Sequence, residues 1–270
     1  MSILSALQFH NEAAAVAHLE AIVWPNGPVC PHCGGIDRIT PVKGGRIGLK
    51  RCGDCKKQFT CKVGTVFEDS HVPLHKWFQA AHLIASSKKG ISSHQLHRTL
   101  GVTYKTAWFM AHRLREAMAV RGALPPLGGE GKVIESDETY IGRKDVDTDP
   151  AMKRRRKGKP GPGGKSRVMT LVERDGSARS VHVADLTNET MQRILLENAD
   201  RKSRLVTDEG TAPSIGLLFS KHDTVKHGAD EYVRRVDEDG KEFVVTTNTV
   251  EGFFSIFKRG MRGVYQHCSE

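Results

Sequence analysis

Two closely spaced pairs of cysteines constrain the fold of this chain more than any other feature. They read CPHC and CGDC with eighteen residues between them, and the four thiols belong to Cys30, Cys33, Cys52 and Cys55. Each Cys-x-x-Cys turn can aim two thiolates at one metal, and this spacing is typical of a tetrahedral zinc site. The alternative is two disulfides, but residues 1–20 lack the secretory signal that would lead to an oxidising compartment. We therefore predict a structural zinc ion in a zinc ribbon. Cys61 is interpreted as a spare buried thiol.

The charge of the chain is unevenly distributed. The formal net charge is +10, and residues 1–122 carry 16 Lys and Arg against 7 Asp and Glu. Residues 123–270 carry 25 against 24. Excess positive charge in the first part favours attraction to a polyanion such as the nucleic-acid backbone. The balanced remainder is more typical of a catalytic or scaffold domain, and a basic soluble protein without such a partner is the alternative.

Residues 75–122 carry the pattern of three helices. The first ends at Gly90, the second ends at Gly101, and the third follows at once in TYKTAWFMAHRLREAM. A short glycine-containing turn between the last two is typical of a helix-turn-helix, whose second helix enters the DNA major groove. An ordinary three-helix bundle is the alternative. The residues predicted to contact bases or phosphates are Thr103, Tyr104, Lys105 and Thr106, then His112, Arg113 and Arg115.

A basic segment interrupts the second half of the chain. Six of the seven residues from 153 to 159 are basic, and Pro-Gly repeats follow. Lys153, Arg154, Arg155 and Arg156 are candidates for contacts with the DNA backbone, made by a loop that orders on binding. A solvated run of charge is the alternative interpretation.

Beyond a Pro-Pro and Gly-Gly linker at 121–131, the periodicity changes from helix to strand. Three strand-like runs precede an amphipathic helix, a strand, a short helix, a short strand and a final helix from Asn248. This is the order of a ribonuclease H-like α/β fold, with a mixed sheet flanked by helices. We predict an N-terminal helix and zinc ribbon at 1–70, a helix-turn-helix domain at 71–122 and the ribonuclease H-like domain at 123–270.

Two aspartates occupy matching positions in this order. Asp137 lies on the first strand and Asp208 ends the fourth, which is its neighbour in such a sheet. Phosphoryl transfer by two metals needs hard oxygen ligands around two Mg²⁺ ions ~3.5–4 Å apart. Asn248 and Glu251, one turn apart on the final helix, are both candidates for a third ligand. Lys258 lies two turns beyond Glu251, where it can contact a DNA phosphate.

Four stretches of the chain read GVTYKTAWFMAHRLREAM, SDETYIGRK, VTDEG and TNTVEGFFSIFKRGMRGVYQHCSE. They closely resemble the bacterial insertion-sequence transposases of the zinc-ribbon, DDE-type group, with a transposase domain of the Xanthomonas insertion-element kind. The likeness extends from about Trp24 to the last residue. It implies a ribonuclease H-like core and dependence on Mg²⁺, for which Mn²⁺ can substitute. The family pattern lands on Asp137, Asp208, Asn248 and Lys258, whereas spacing alone favours Glu251.

The resemblance implies an enzyme that binds the terminal inverted repeats of its element and catalyses Mg²⁺-dependent strand cleavage and strand transfer. Its partners would be those ends and target DNA, bound by a homo-oligomer at the nucleoid in the bacterial cytoplasm. We expect no membrane partner, because no apolar run approaches ~20 residues. Relatives usually continue past HCSE, so the alternative is a truncated, inactive copy that acts as a DNA-binding repressor. An unrelated zinc-ribbon transcription factor would leave the matched aspartates unexplained.

Overall fold

The computed structural model of the protein consists of two compact units, Met1–Arg121 and Gly122–Glu270. The residues it describes are 3–119, 122–142, 165–209 and 213–265. The basic segment at 153–156 therefore lies outside the described residues, and the prediction for it stays a prediction. Among the described helices, none is both long and apolar enough to cross a membrane.

The first unit contains a small three-stranded antiparallel sheet of β1 (Ile39–Pro41), β2 (Lys50–Cys52) and β3 (Gln58–Phe59), in that order. Two short 3-10 turns precede it at the start of the chain. Cys30, Cys52 and Phe59 form a small core of their own, against which Trp24 packs edge-on. Because this core is so small, the sheet depends on the cysteine cluster for its stability.

Four helices form the rest of the first unit: α1 (Glu12–Val23), α2 (Leu74–Ala85), α3 (Ser93–Leu100) and α4 (Tyr104–Met118). Trp77, Leu96 and Met110 are fully buried at their centre. Leu19 of α1 belongs to the same core, so the N-terminal helix packs with the helical group and not with the ribbon core. Gly101 links α3 to α4 in the left-handed conformation, at φ 60°, that a tight helix-turn-helix turn requires.

The second unit is built on a five-stranded sheet. Its elements are β4 (Val133–Ile141), β5 (Ser166–Glu173), β6 (Ala178–Val183), α5 (Asn188–Asn198), β7 (Arg204–Asp208), α6 (Pro213–Gly216), β8 (Lys221–Val225), β9 (Val233–Glu238), β10 (Lys241–Thr246) and α7 (Asn248–Gly260). The strand order is β6-β5-β4-β7-β8, with β4 antiparallel to β5 and parallel to β7. This is the predicted ribonuclease H-like topology.

Helices cover both faces of this sheet. Leu171 of β5 lies in the core that contains Ile194 of α5, and the next residue, Val172, packs with Phe254 of α7. Successive residues of a strand point to opposite faces, so α5 and α7 lie on opposite sides of the sheet. Met261–Tyr265 continues α7 with π-helical geometry.

A two-stranded hairpin, β9–β10, precedes the final helix and was not predicted from the sequence. Its turn, Asp239–Gly240, has positive φ at both residues, as a type I′ turn requires. Arg204 of β7 anchors the hairpin to the sheet. Its guanidinium donates to Glu238 of β9 at 2.8 Å and lies 3.3 Å from the ring centroid of Phe243 of β10.

Candidate active site and zinc centre

The four predicted zinc ligands form one cluster. The Sγ atoms of Cys30 and Cys55 are 3.6 Å apart, as are those of Cys33 and Cys52, and all four lie within 4.8 Å of one another. Zinc–sulfur bonds of ~2.3 Å place the sulfurs of a tetrahedral site ~3.8 Å apart, so the cluster fits a zinc ion. Burial raises the pKa of the Cys30 thiol, but the N–H groups of His32 and Cys33 hydrogen-bond to it and bring its pKa down to about 7.

Cys61 is not part of this cluster. It is buried in the helical core, and burial raises the pKa of its thiol to about 11. A thiol that stays protonated is a poor metal ligand. The structure thus agrees with its interpretation as a spare thiol.

Asp137 and Asp208 lie at the same edge of the second sheet. The parallel pairing of β4 with β7 ends at Glu135 and Val206, and each aspartate lies two residues beyond that last pair. Because the two strands are parallel, residues at the same distance beyond that pair lie at the same level, so both aspartate side chains are at the carboxyl edge of the sheet. Two residues with 70 others between them in the chain are thereby brought to one site.

An open cavity of about 390 Å³ lies at this edge. Among the described residues, those that line it are Asp137, Glu138, Thr139, His227, Glu251, Phe254, Ser255 and Lys258. Glu251 and Lys258, predicted from spacing, are both in this set. Asn248, which the family pattern indicates, is the first residue of α7, is exposed and is not in the lining. Asp208 is not in the lining either, but its charge acts on both Asp137 and Glu138.

The carboxylates of the cavity raise one another's pKa. Burial, with the charges of Asp208 and Glu251, raises the pKa of Asp137 to about 6. Burial, with the charges of Asp208 and Asp137, raises the pKa of Glu138 to about 7. Several acidic groups therefore repel one another in a half-buried space, and a bound cation would relieve that repulsion. Across the described residues, however, the four cysteines are the only group of three or more possible ligands whose atoms all lie within 4.8 Å of one another.

Two polar side chains hold Glu251 in place. The Thr247 hydroxyl donates to its Oε1 at 3.1 Å, and Nε2 of His227 lies 3.4 Å from the same oxygen. His227 follows β8 at the same edge as Asp208. Neither His227 nor Glu138 was predicted as a site residue. In the sequence, Glu138 could have been recognised as a site residue by its place next to Asp137. His227 could have been recognised by its place just after the last strand of the five-stranded sheet.

The residues predicted to contact DNA fall into two groups on α4. Thr103, Tyr104 and Lys105 are exposed, and the Thr103 hydroxyl also accepts from the Thr106 N–H at 3.2 Å as the helix cap. The two arginines are half-buried and donate hydrogen bonds to backbone carbonyls of the first unit. Arg113 donates to the Glu68 carbonyl at 2.6 Å, and Arg115 donates to the Ile91 carbonyl at 3.4 Å.

Exposed aromatic residues lie on the same face of α4 as Lys105. Tyr104, Trp108 and Phe109 are 43%, 49% and 46% exposed, and with Lys105 they line a shallow groove. The His112 ring packs on Trp108 with centroids 4.1 Å apart. The helical spacing of Ala107, Met110, Ala111 and Leu114 in the sequence indicates the other face of α4, and these four residues are buried.

Models of known protein families match residues in both units of the chain. A model of the ISXO2-like transposase domain matches residues 126–270, which is more than half of the chain. The chain belongs to the ISXO2-like transposase family. A model of the transposase zinc-ribbon domain matches residues 10–58, which include all four clustered cysteines of this family member.

Relatives of this ISXO2-like transposase include a protein of Halobacterium salinarum, described as an uncharacterized protein in transposable element ISH50. It is 31% identical over 275 residues, a match that covers 95% of this chain and 86% of the relative. A chain from the crystal structure of the Mos1 strand transfer complex is 16% identical, and the match covers 51% of each chain. Its TM-score of 0.17 is too low to support any conclusion.

Proposed function

We propose that this protein is a DNA transposase that cleaves and joins DNA strands at the ends of its element, using Asp137, Asp208 and Glu251 as metal-binding carboxylates. The observation that carries the proposal is the convergence of these acids. Asp208 and Glu251 come from β7 and α7, and the charge of each raises the pKa of Asp137 on β4. Only tertiary structure brings these three elements together, at the carboxyl edge of a ribonuclease H-like sheet.

Glu251 is the better candidate for the third ligand. Its carboxylate lines the cavity, whereas Asn248 lies at the start of α7 outside the lining. Glu251 also brings a negative charge, which an asparagine amide does not, so it binds Mg²⁺ more strongly. The hydrogen bond from Thr247 and the contact with His227 restrict its side chain to the cavity side of the helix.

The donor set fits the divalent cation that the family implies. Carboxylate oxygens are the hard donors that Mg²⁺ prefers, and the mutual repulsion of these acids favours a bound cation. Donors spread more widely than 4.8 Å are compatible with two ions ~3.5–4 Å apart. In such a site Mg²⁺ supplies activation of the attacking oxygen and stabilisation of the leaving oxygen of a phosphodiester.

Other residues of the cavity would orient the DNA strand. Lys258 lies on α7 two turns beyond Glu251 and lines the same cavity, where its ammonium group can pair with a phosphate oxygen. Its Nζ also lies 5.8 Å from the ring centroid of Phe254, which limits the positions that the side chain samples. Lys258 would therefore position the scissile phosphate without taking part in proton transfer.

The DNA ends would be bound by the first unit, through the exposed face of α4. The sequence from Ser70 to Arg115 contains seven Lys or Arg, six His and no Asp or Glu. A stretch of sequence with this excess of basic residues favours a polyanionic partner. Lys105 lies among the exposed aromatic rings of that surface, and such rings can stack on bases or pack against thymine methyl groups.

Lys105→Ala should weaken binding of element ends by about 1–3 kcal/mol, or roughly 5- to 150-fold. Arg113→Ala should instead lower the thermal stability of the first unit, because its guanidinium donates to a backbone carbonyl. Fluorescence anisotropy of a labelled end, measured over a range of salt concentrations, gives both the affinity and the number of phosphates neutralised. An affinity that Lys105→Ala leaves unchanged would exclude the α4 face as the DNA-binding surface.

Trp108 provides an independent check of the same surface. Trp77 is fully buried, so iodide should quench Trp108 far more strongly. Saturating DNA should protect Trp108 from iodide, and Trp108→Phe should remove that effect. Quenching that DNA does not alter would show that this face remains open in the complex.

The experiment that tests the proposed activity is nicking of a labelled element end by the zinc-loaded protein. Mg²⁺ should be required and EDTA should stop the reaction. A duplex of shuffled sequence serves as the control substrate. Binding of the end without any nicking would contradict the proposal and favour an inactive DNA-binding protein.

A further inference from the structure

A fully buried carboxylate, Glu135, lies on β4 two residues before Asp137. Its two oxygens accept four hydrogen bonds, and three of the donors belong to the start of α7. Oε2 accepts the N–H groups of Thr249 at 2.8 Å and Val250 at 3.1 Å, and Oε1 accepts the Thr249 hydroxyl at 2.9 Å. A buried charge with this many donors is held in one orientation.

Helix α7 lacks a cap from its own N-terminus. The side chain of the N-cap residue, Thr247, makes no capping bond and is directed to Glu251 instead. The N–H groups of Thr249 and Val250 have no acceptor within the helix, and a local cap residue normally accepts hydrogen bonds from N–H groups in these positions. Glu135, more than a hundred residues earlier in the chain, accepts both, and its negative charge suits the positive end of the helix.

Arg174 ties the same carboxylate to the segment that leads into α7. Its Nε donates to Glu135 at 2.7 Å, and its two terminal nitrogens donate to the carbonyls of Val244 and Thr246 at 2.9 Å each. The guanidinium thus fixes the end of β10, and Glu135 fixes the start of α7. The fixed N–H groups of Thr249 and Val250 lie directly before Glu251 in the chain, and the fixed carbonyl of Thr246 lies five residues before it.

We propose that Glu135, with Arg174, is a positioning residue that sets the distance between Glu251 and Asp137. Glu135 and Asp137 are two residues apart and therefore lie on the same face of β4. Glu251 follows the residues with the capped N–H groups directly. A shift at the cap therefore moves one carboxylate of the site relative to the other. This inference rests on the proposed metal site, and Glu135 itself binds no metal, because hydrogen bonds from Arg174 and α7 occupy its oxygens.

Mn²⁺ binding to the zinc-loaded protein, followed by the electron paramagnetic resonance of the free ion, tests this role without any DNA. Glu135→Gln keeps the size of the side chain but presents an NH₂ group to N–H donors, so the start of α7 must move. We expect about 10- to 100-fold weaker Mn²⁺ binding, as is usual when a partner of a metal ligand is lost. Leu195→Ala, fully buried in the α5 core, is the control that lowers stability but leaves Mn²⁺ affinity unchanged.

Amide hydrogen exchange provides a second measurement that does not depend on metal. The N–H groups of Thr249 and Val250 should exchange at least about tenfold faster in Glu135→Gln, while those of α5 keep their wild-type rates. If Glu135→Gln does not fold, Arg174→Lys, which keeps the charge but loses the planar fork, should show both effects in weaker form. Unchanged Mn²⁺ affinity in the folded variants, or an equal loss in Leu195→Ala, would overturn the positioning role. Absence of Mn²⁺ binding by the wild-type protein would instead overturn the proposed metal site itself.

Discussion

Asp137→Ala and Asp208→Ala should each lower the rate of strand cleavage by roughly three orders of magnitude. Metal ions contribute several kcal/mol of transition-state stabilisation to phosphoryl transfer, and each ~1.4 kcal/mol corresponds to a factor of ten. Removing either carboxylate leaves a cation with too few hard ligands. In this proposal the aspartates bind metal, whereas the element end is bound by α4, so affinity for the element end should stay within about threefold of the wild type.

The control for these variants is Glu197→Gln, which changes an exposed carboxylate on α5 that pairs with Arg193. It should nick at the wild-type rate, since an exposed helix pair is worth only a few tenths of a kcal/mol. Circular dichroism confirms that each variant is folded before rates are compared. Undiminished nicking by either aspartate variant would exclude the two-metal mechanism at this site.

Cys52→Ser should release the zinc ion and unfold the ribbon. Structural zinc contributes apparent binding free energies of about 10–16 kcal/mol in zinc-finger peptides, far more than the small core of Cys30, Cys52 and Phe59 can supply. Purified wild-type protein should contain about one equivalent of zinc by elemental analysis, and the variant should contain almost none. DNA binding should weaken as well if the ribbon contacts the element end.

Cys61→Ala separates loss of a ligand from loss of any buried thiol. It should retain the full equivalent of zinc, because Cys61 lies in the helical core and not in the sulfur cluster. A Cys30→Ser/Cys52→Ser double variant that kept its zinc would show that the zinc ion binds elsewhere in the protein.

The sequence predicted the architecture because its strongest patterns are local. The cysteine spacing indicated the ribbon, and the order of strands and helices indicated a sheet in which β4 and β7 are neighbours, so that Asp137 and Asp208 could be paired in advance. The last strand of the ribbon has only two residues, and turns follow it shortly after Phe59. The hairpin β9–β10 was missed although Asp239–Gly240 is a type I′ turn. Charged residues dominate its sequence, and the apolar residues that pack on the sheet, Val236, Phe243 and Val245, are few.

The parts of the site that could not be predicted depend on contacts between distant residues. Spacing alone favoured Glu251 and the family pattern favoured Asn248, and only the structure shows which of the two side chains lines the cavity. Glu135 resembles any other acid of its strand until its burial is known. His227 gains a role only because the 3-10 turn after β8 brings its ring to Glu251. No periodicity in the sequence encodes these relations.

The central claim is that Asp137, Asp208 and Glu251 together form the metal site. The most direct test compares the initial rates of Mg²⁺-dependent nicking by Glu251→Gln and Asn248→Ala on one labelled element end. The account predicts a loss of roughly a hundredfold or more for Glu251→Gln, because the amide removes a charged ligand. Asn248→Ala should stay within a few-fold of the wild type, since Asn248 is exposed and the start of the helix is capped by Glu135. An inactive Asn248→Ala beside an active Glu251→Gln would contradict the claim and assign the third ligand to Asn248.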